Sequence, residues 1–240
     1  CIRDRSSHPL ADETLPSFTF AAMVPMQVYN TLKVPCERER LMRIRHLIIG
    51  GGAISDELAQ MIKPLPNAVW STYGMTETLS HIALRRLNGP DASLWYTPFD
   101  GVGISLNAEG CLVIDAPEVC AEPLVTNDIA QLRTDDRTGK TLFRIKGRKD
   151  NVVCSGGIKI QIEEVEEALR PYLSDPFMIV KKQDEMLGEK AILLTESADL
   201  TRIEEICRNT LPKYWVPREF LHIDHLPLTE TGKPKRSGAF

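Results

Sequence analysis

The sequence lacks the features that mark several classes of protein. Nowhere in its 240 residues does an apolar run approach about 18 residues, the length of a transmembrane helix. Aromatic residues make up only 6%, and neither sign of charge dominates, since 29 Lys and Arg against 33 Asp and Glu give a net charge of −4. Without a basic excess, nucleic acid and membranes are not expected partners. Hydrophobic residues at 42% and charged residues at 26% are ordinary for a globular protein with a buried core.

The six cysteines show neither a disulfide framework nor a metal site. They stand at positions 1, 36, 111, 120, 154 and 207, without a C-x-x-C pair or a histidine at ligand spacing. We therefore expect reduced thiols in a cytoplasmic protein. Cys154 lies beside a glycine pair, and we expect it to be a buried strand residue; the alternative is a redox-sensitive thiol.

The predicted secondary structure changes character twice along the chain. It begins with a buried strand, helices and a glycine turn, becomes rich in short strands, and ends with compactly alternating strands and helices. One helix is expected to start at an N-cap, Ser55, and to end near Ile62. We predict strands at 18–24, 46–49, 68–72, 110–115, 128–133, 141–146, 151–154, 176–181, 190–195 and 218–223, and further helices at 26–33, 37–43, 162–169 and 199–211.

These changes predict two domains. Residues 1–149 are expected to form an α/β and β-rich part of a larger domain. Residues 150–240 are expected to form a small mobile α+β domain, with Asp150 at the hinge.

Two early segments carry groups that suit a nucleotide. Gly50-Gly51-Gly52-Ala53 follows a predicted strand, where glycine serves a tight turn equally well. The loop from Tyr73 to Glu77 combines an aromatic ring, the glycine Gly74, the hydroxyl of Thr76 and a carboxylate. A carboxylate beside phosphates usually recruits Mg²⁺, and the alternative is an ordinary polar loop.

Three later segments are each ambiguous when taken alone. Asp128 stands at the start of a predicted strand, where it caps a turn or accepts hydrogen bonds from a ribose. The run from Gly147 to Asp150 and the segment Ser155-Gly156-Gly157-Ile158-Lys159 suit phosphates or a pantetheine arm. Near the end, Lys233 follows a tight turn, and an exposed tail lysine is the alternative.

In their order and spacing, these segments resemble the adenylate-forming acyl-CoA synthetase superfamily over nearly the whole chain. The string from Thr72 to Ile82 is most similar to o-succinylbenzoate–CoA ligases of menaquinone biosynthesis. The resemblance implies an AMP-forming ligase that uses ATP, Mg²⁺ and coenzyme A and activates a small-molecule carboxylate. A homodimer is one option for its assembly.

The resemblance also implies roles for individual residues. The catalytic group is Lys233, which bridges the carboxylate and the α-phosphate, with Thr76 on a phosphate oxygen and Glu77 on Mg²⁺. Thr78, Ser80 and His81 are acyl-contact candidates, although a structural role is the stronger expectation for His81. The remaining roles are nucleotide binding by Gly51, Gly52, Ala53, Tyr73, Gly74, Asp128 and Arg148, the hinge at Asp150, and the thioester-forming conformation for Ser155, Gly156, Gly157 and Lys159.

The sequence departs from the family pattern in three places. Asn127 stands where glycine is usual, and Ile158 where Glu or Phe is common. The family's phosphate loop is absent upstream of Tyr73, and the first residue is Cys1. We therefore expect a C-terminal portion of an enzyme that is inactive alone. Three alternatives stay open: a ligase for another aryl or fatty acid, a peptide-synthetase adenylation domain, and a non-catalytic nucleotide-binding module.

Overall fold

The computed structural model describes residues 6–52, 54–227 and 235–236. The chain forms two compact units. The first unit comprises Cys1–Ser105, Val113–Val125 and Leu132–Arg144, and the second comprises Leu106–Leu112, Thr126–Gln131 and Ile145–Phe240. The predicted domain boundary at Asp150 stays a prediction.

The first unit is built around a five-stranded sheet flanked by three helices. In the order β1-β2-β3-β4-β5, the first three strands are parallel and the last two pairings are antiparallel. Parallel strands that alternate with helices are typical of an α/β fold. The elements are β1 (Phe20–Met23), α1 (Pro25–Lys33), α2 (Pro35–Met42), β2 (His46–Ile49), α3 (Asp56–Ile62), β3 (Ala68–Gly74), β4 (His81–Arg86) and β5 (Thr97–Pro98).

A four-stranded sheet of order β6-β7-β8-β9 follows, and its residues are divided between the two units. A turn at 135–140 connects β8 and β9, and in it the Asp135 amide donates to the Lys140 carbonyl at 2.9 Å. The strands are β6 (Gly103–Leu106), β7 (Cys111–Asp115), β8 (Leu124–Thr134) and β9 (Thr141–Arg148).

The second unit contains a sheet of order β11-β10-β13-β12, with β14 parallel to β13. One face of the sheet packs against two helices through a core that includes Val165, Ile203 and Leu193, and a smaller cluster covers the other face. The elements are β10 (Val152–Ser155), β11 (Ile158–Gln161), α4 (Ile162–Leu169), β12 (Phe177–Asp184), β13 (Gly188–Thr195), α5 (Leu200–Thr210) and β14 (Glu219–His222).

Two burial predictions are wrong. The first strand is predicted to be buried, but 57% of Phe20 is exposed, because Phe20 and Ala22 lie on the exposed face of β1 while Met23 is buried on the opposite face. Cys154 is exposed on β10. Alternating side chains on a strand point to opposite faces, and Val153 takes the core-facing position next to Cys154.

None of the helices in the described part of the chain has the length and hydropathy that a membrane span requires.

The buried side-chain amide of Asn88 links the start of β3 to neighbouring backbone groups of the first unit. Asn88, which is 2% exposed, donates from Nδ2 to the carbonyls of Leu65 and Asn67, both at 2.8 Å. Its Oδ1 accepts from the Val69 amide at 3.1 Å and from Arg86 Nε at 3.0 Å. All four hydrogen-bonding positions of the side chain are therefore used.

Replacing Asn88 by alanine is expected to lower the free energy of unfolding by about 2–4 kcal/mol, because buried backbone groups lose their partners. Urea unfolding monitored by the fluorescence of Trp70, the neighbour of Val69, measures the loss. The control is the exposed residue Asn209 on α5, whose change to alanine is expected to stay within about 0.5 kcal/mol. Equal stabilities of the two variants would contradict the assigned role of Asn88.

Candidate functional site

In the first unit, glycines form the turn after β2. A side chain at Gly50 would collide with Thr72 Oγ1 on the neighbouring strand, and Gly51 has a φ of +77°. Both positions therefore need glycine for local geometry, which favours the structural interpretation of this motif. The other two residues named for nucleotide binding here are Gly52, which lies in the same turn, and Ala53, which lies outside the described residues.

Tyr73 lies at the end of β3 and not in a loop, because β3 extends two residues beyond the predicted strand. Its ring packs against two aromatic rings, with centroids 5.7 Å from Tyr96 and 5.0 Å from Phe143. Tyr96 in turn hydrogen-bonds Ser71 Oγ at 2.9 Å. These contacts hold the Tyr73 ring in a defined orientation and leave the residue half-buried.

The pairing register between β3 and β4 shifts between Tyr73 and Gly74, and the chain then enters a 3₁₀ turn over Thr76–Thr78. Thr76 and Glu77 are exposed at the start of this turn. The next residue, Leu79, has a φ of +59° and is 79% exposed. A leucine with positive φ is a strained backbone position, and such strain is most often found beside functional groups.

Thr78 holds the strained turn in place. Its hydroxyl accepts from the Met75 amide and lies within hydrogen-bond distance of the Met75 and Ser80 carbonyls, at 3.0 and 2.7 Å. The residue is 1% exposed. Because the hydroxyl is engaged by the backbone, the geometry favours a structural role for Thr78 over contact with an acyl group.

The other two acyl-contact candidates lie next to this turn. Ser80 Oγ and His81 Nδ1 are 3.1 Å apart, and the His81 ring meets the edge of Phe99 at a centroid distance of 5.5 Å. Ser80 is exposed and His81 half-buried, so both remain accessible.

Cys120 contributes a contact that the sequence analysis missed. Its Sγ lies 2.8 Å from the Glu77 carbonyl oxygen, 43 positions away in the chain. No local pattern links the two residues. The thiol fixes the backbone of the turn from which the Glu77 carboxylate projects.

Glu77 suits a magnesium ion that substrate phosphates and water also coordinate. The described ranges contain no cluster of three or more Asp, Glu, His or Cys that could hold a metal unaided. Mg²⁺ in nucleotide sites is commonly bound by one or two carboxylates together with substrate phosphates and water. A single exposed carboxylate suits that arrangement, whereas an all-protein cage is not formed by the residues described.

In the second unit, the structure brings together Asp128, Arg148 and Asp150. Arg148 Nη1 donates to Asp128 Oδ1 at 3.2 Å, and Nη2 donates to Asp150 Oδ2 at 3.1 Å. The Asp128 side chain is 16% exposed, against 52% for Arg148. Asp128 lies inside β8 and not at its start, because the strand begins at Leu124, four residues ahead of the predicted first residue.

A second ion pair lies directly beside Asp150. Lys149 Nζ donates to both oxygens of Glu109, at 2.8 and 2.7 Å. The hydrogen bond between them raises the pKa of the Lys149 ammonium and lowers the pKa of the Glu109 carboxyl. Solvent screens this exposed pair, so it orients the chain without adding much stability.

The glycine pair forms the tight turn of the β10–β11 hairpin. Ser155 pairs with Ile158 across it, while Gly156 and Gly157 have φ values of +56° and +84°. Positive φ at both central residues is typical of a type I′ hairpin turn. Lys159 is exposed one residue farther along β11.

Lys233, the predicted catalytic residue, lies outside the described residues. Among the described site residues, the first unit holds one group, from Gly50 to Gly52 and from Tyr73 to His81. The second unit holds another, made of Asp128, the charged run at 148–150 and the glycine hairpin.

Comparisons with known proteins place the chain among adenylate-forming enzymes. A solved acyl-CoA synthetase (AMP-forming)/AMP-acid ligase II-like protein from Dyadobacter fermentans is 32% identical, with a TM-score of 0.58, and the match covers 96% of this chain and 67% of that protein. A 2-succinylbenzoate–CoA ligase of Salmonella typhimurium is 27% identical over 237 residues, 90% of this chain and 49% of that enzyme. Tyrocidine synthase 3 of Brevibacillus parabrevis is 28% identical over 228 residues, 80% of this chain and 4% of that protein. A scan of protein-family models finds no match.

The fold, with its mixed α/β sheets, is that of adenylate-forming enzyme domains. The identity to the Dyadobacter protein reaches 32% over two thirds of its length, and the chain therefore belongs to the AMP-forming acyl-CoA synthetases. It spans less than half the length of the two curated relatives described above.

Proposed function

We propose that the protein is an acid–thiol ligase that activates a carboxylate with ATP and transfers the acyl group to coenzyme A. In the first step a carboxylate oxygen attacks the α-phosphorus, the α–β phosphoanhydride bond breaks, and pyrophosphate leaves. In the second step the thiol gives up its proton, its sulfur attacks the acyl carbon, the acyl–phosphate bond breaks, and AMP leaves. Membership of the AMP-forming acyl-CoA synthetases is the observation that carries this proposal.

In this proposal the residues of the first unit contact the adenine and the phosphates. Tyr73 offers an oriented aromatic ring, and Thr76 offers a hydroxyl to a phosphate oxygen. Glu77 holds Mg²⁺, which neutralises phosphate charge when bound. Ser80 and His81 are the accessible candidates for the acyl group.

The residues of the second unit bind the ribose and provide the conformational change between the two half-reactions. Asp128 accepts hydrogen bonds from the two ribose hydroxyls through its carboxylate oxygens, and Arg148 holds that carboxylate in place. Asp150 is the hinge residue. The hairpin from Ser155 to Lys159 replaces Lys233 at the reacting centre for thioester formation.

We further propose o-succinylbenzoate as the acid. The support is the similarity to the Salmonella 2-succinylbenzoate–CoA ligase over 90% of this chain. Similarity to tyrocidine synthase 3 supports a second candidate, an adenylation domain that transfers its acyl group to a carrier protein. The two candidates differ in the acid that they activate and in the thiol that accepts the acyl group.

A substrate panel tests this proposal. The full-length gene product is incubated with ATP, Mg²⁺ and coenzyme A together with o-succinylbenzoate, benzoate, a medium-chain fatty acid or an amino acid, and pyrophosphate release is measured. Release with o-succinylbenzoate alone is expected. Release with another acid would overturn the proposed substrate, and no release with any acid would favour a non-catalytic nucleotide-binding module.

The role proposed for Asp128 predicts a defect in ATP binding. Replacing Asp128 by alanine removes charged hydrogen bonds worth about 1.5–3 kcal/mol each, so the KM for ATP is expected to rise at least about 10-fold. Steady-state kinetics with ATP varied measures the change. The control is Asp136→Ala, which removes an exposed carboxylate from the β8–β9 turn and leaves the KM unchanged. An unaltered KM for ATP in the Asp128 variant would contradict the ribose-binding role.

A further inference from the structure

Two side chains at the junction of β11 and α4 lie against the end of β9 in the second unit. Gln161 is the last residue of β11, and Glu163 lies in the first turn of α4. Gln161 Nε2 donates to Glu163 Oε2, which joins the two side chains. Both residues are half-buried, and together they form the Gln161–Glu163 pair.

The Gln161–Glu163 pair is attached to both ends of the segment 148–151. Gln161 Nε2 also donates to the Arg148 carbonyl at 3.1 Å, 13 positions away in the chain. At the other end, Asn151 Nδ2 donates to Glu163 Oε1 at 2.5 Å. Both hydrogens of the Gln161 amide group and both oxygens of the Glu163 carboxylate are thus engaged. The backbone of Arg148 is therefore fixed by a hydrogen bond from outside its own strand.

Gly147 leaves the space that the Gln161–Glu163 pair occupies. A Cβ on Gly147 would stand 2.4 Å from Gln161 Nε2 and 2.6 Å from Glu163 Oε2. Gly147 is buried, and it is not one of the glycines with positive φ. The need for glycine here therefore comes from the two side chains and not from the backbone conformation.

The segment 148–151 carries the guanidinium that contacts Asp128. Arg148 Nη1 donates to Asp128 Oδ1 at 3.2 Å, and Nη2 donates to Asp150 Oδ2 at 3.1 Å. The Arg148 side chain is 52% exposed, so packing restrains it little. Its long stem has many rotamers, and the guanidinium reaches Asp128 only from a suitable backbone position. A shift of the Arg148 backbone would therefore move the group that orients the Asp128 carboxylate.

We propose that Gln161 and Glu163 are positioning residues for ATP that act through Arg148. This inference rests on the proposed function, in which Asp128 accepts hydrogen bonds from the ribose. The pair fixes the Arg148 backbone, Arg148 orients the Asp128 carboxylate, and the pair itself does not touch the nucleotide. Loss of the pair is expected to weaken ATP binding and to leave the rate of the chemical steps unchanged.

The first test uses Gln161→Leu in the full-length gene product, a change that keeps the size of the side chain and removes its donors. The KM for ATP is expected to rise about 5-fold, which corresponds to about one hydrogen bond, while kcat and the KM for coenzyme A stay within about twofold. The ion pair between Lys146 and Glu164, at 3.1 Å, still attaches α4 to β9, so the thermal midpoint is expected within about 2 °C of the wild type. A fall in kcat and in the thermal midpoint without a selective rise in the KM for ATP would overturn the proposal.

A double-mutant cycle tests whether the pair acts through Arg148. Arg148→Met alone is expected to raise the KM for ATP. Adding Gln161→Leu to it is expected to change the KM by less than about twofold, because the group that Gln161 positions is already gone. A full additional rise of about 5-fold would mean that Gln161 acts independently of Arg148, and that result would overturn the proposal. An unchanged KM in Arg148→Met would overturn it as well.

Two further variants disturb the pair in different ways. Gly147→Ala pushes against Gln161 and Glu163, whose flexible side chains move away from the new Cβ, and it is expected to raise the KM for ATP as Gln161→Leu does. In Glu163→Gln an amide offers one acceptor oxygen where the carboxylate offered two, so Asn151 or Gln161 loses its acceptor. A rise of about 3-fold is expected there. A normal KM for ATP in either variant would overturn the proposal, and the matched control is Glu205→Gln, an exposed residue of α5 whose change is expected to leave the KM unaltered.

Hydrogen exchange tests the restraint without relying on activity. The Val152 amide donates to the Lys149 carbonyl and closes a 3₁₀ turn between the two points of attachment. In Gln161→Leu this amide is expected to exchange at least about 10-fold faster, while the Leu193 amide in the centre of β13 keeps its protection. An unchanged rate at Val152 would overturn the proposal. If the wild type activates no acid, the proposed function fails, and this measurement still decides whether the pair restrains the segment.

Discussion

Replacing Lys233 by alanine in the full-length gene product is expected to reduce adenylation by about 100- to 1,000-fold. In the proposed reaction, negative charge accumulates where the carboxylate oxygen meets the α-phosphate, and the ammonium group stabilises it. Thioester formation from supplied acyl-adenylate is expected to be preserved, because that step needs no charge at this position. The two half-reactions are measured separately, as pyrophosphate release and as thioester formation from synthetic acyl-adenylate.

The matched control for this experiment is Lys235→Ala. Lys235 is exposed and engages Pro227 through its backbone amide, which an alanine keeps. This control is expected to adenylate at nearly the wild-type rate. Equal losses of both half-reactions in Lys233→Ala would refute the assignment of Lys233 to adenylation.

Replacing Gly74 by alanine is expected to disrupt the turn that carries Glu77. A Cβ at this position would collide with the Ser80 carbonyl oxygen and would stand 2.5 Å from the His81 Cα. Both obstacles are backbone atoms, so no side chain can rotate away. The strands must separate, at a cost of about 1–3 kcal/mol or more, and pyrophosphate release should fall together with the thermal midpoint.

Gly103→Ala provides the comparison for Gly74. Its added Cβ would stand 3.3 Å from the Cβ of Asp115, which is exposed and can shift by a few tenths of an ångström. We expect a thermal midpoint within about 2 °C of the wild type, since overpacking is relieved there. If Gly74→Ala has the same thermal midpoint and the same rate of pyrophosphate release as Gly103→Ala, the close approach of β3 and β4 does not constrain the turn.

The elements of the fold were largely predictable because their signals are local. The predicted bounds of β2 and α4 coincide with those observed, and Ser55 accepts a hydrogen bond from the Leu58 amide as its N-cap role requires. Burial was less predictable. The exposure of Phe20 depends on which face of β1 the rest of the chain covers, and the sequence within a strand does not reveal that.

The candidate site could be predicted only in part. The residue types at Tyr73, Glu77, Asp128 and Arg148 were informative because an aromatic ring and charged groups are the side chains that suit a nucleotide and its metal ion. The contacts that hold the site were not predictable. Cys120 reaches the Glu77 carbonyl across 43 positions, and similar long-range contacts have no periodicity that a sequence reveals.

The central claim is that the protein forms an acyl-adenylate. The most direct measurement uses ATP labelled in the α-phosphate, Mg²⁺ and o-succinylbenzoate with the full-length gene product, first without coenzyme A and then with it. The account predicts labelled acyl-AMP before coenzyme A is added, and labelled AMP together with the acyl thioester afterwards. Labelled ADP in place of AMP, or a thioester that forms without an adenylate, would contradict it.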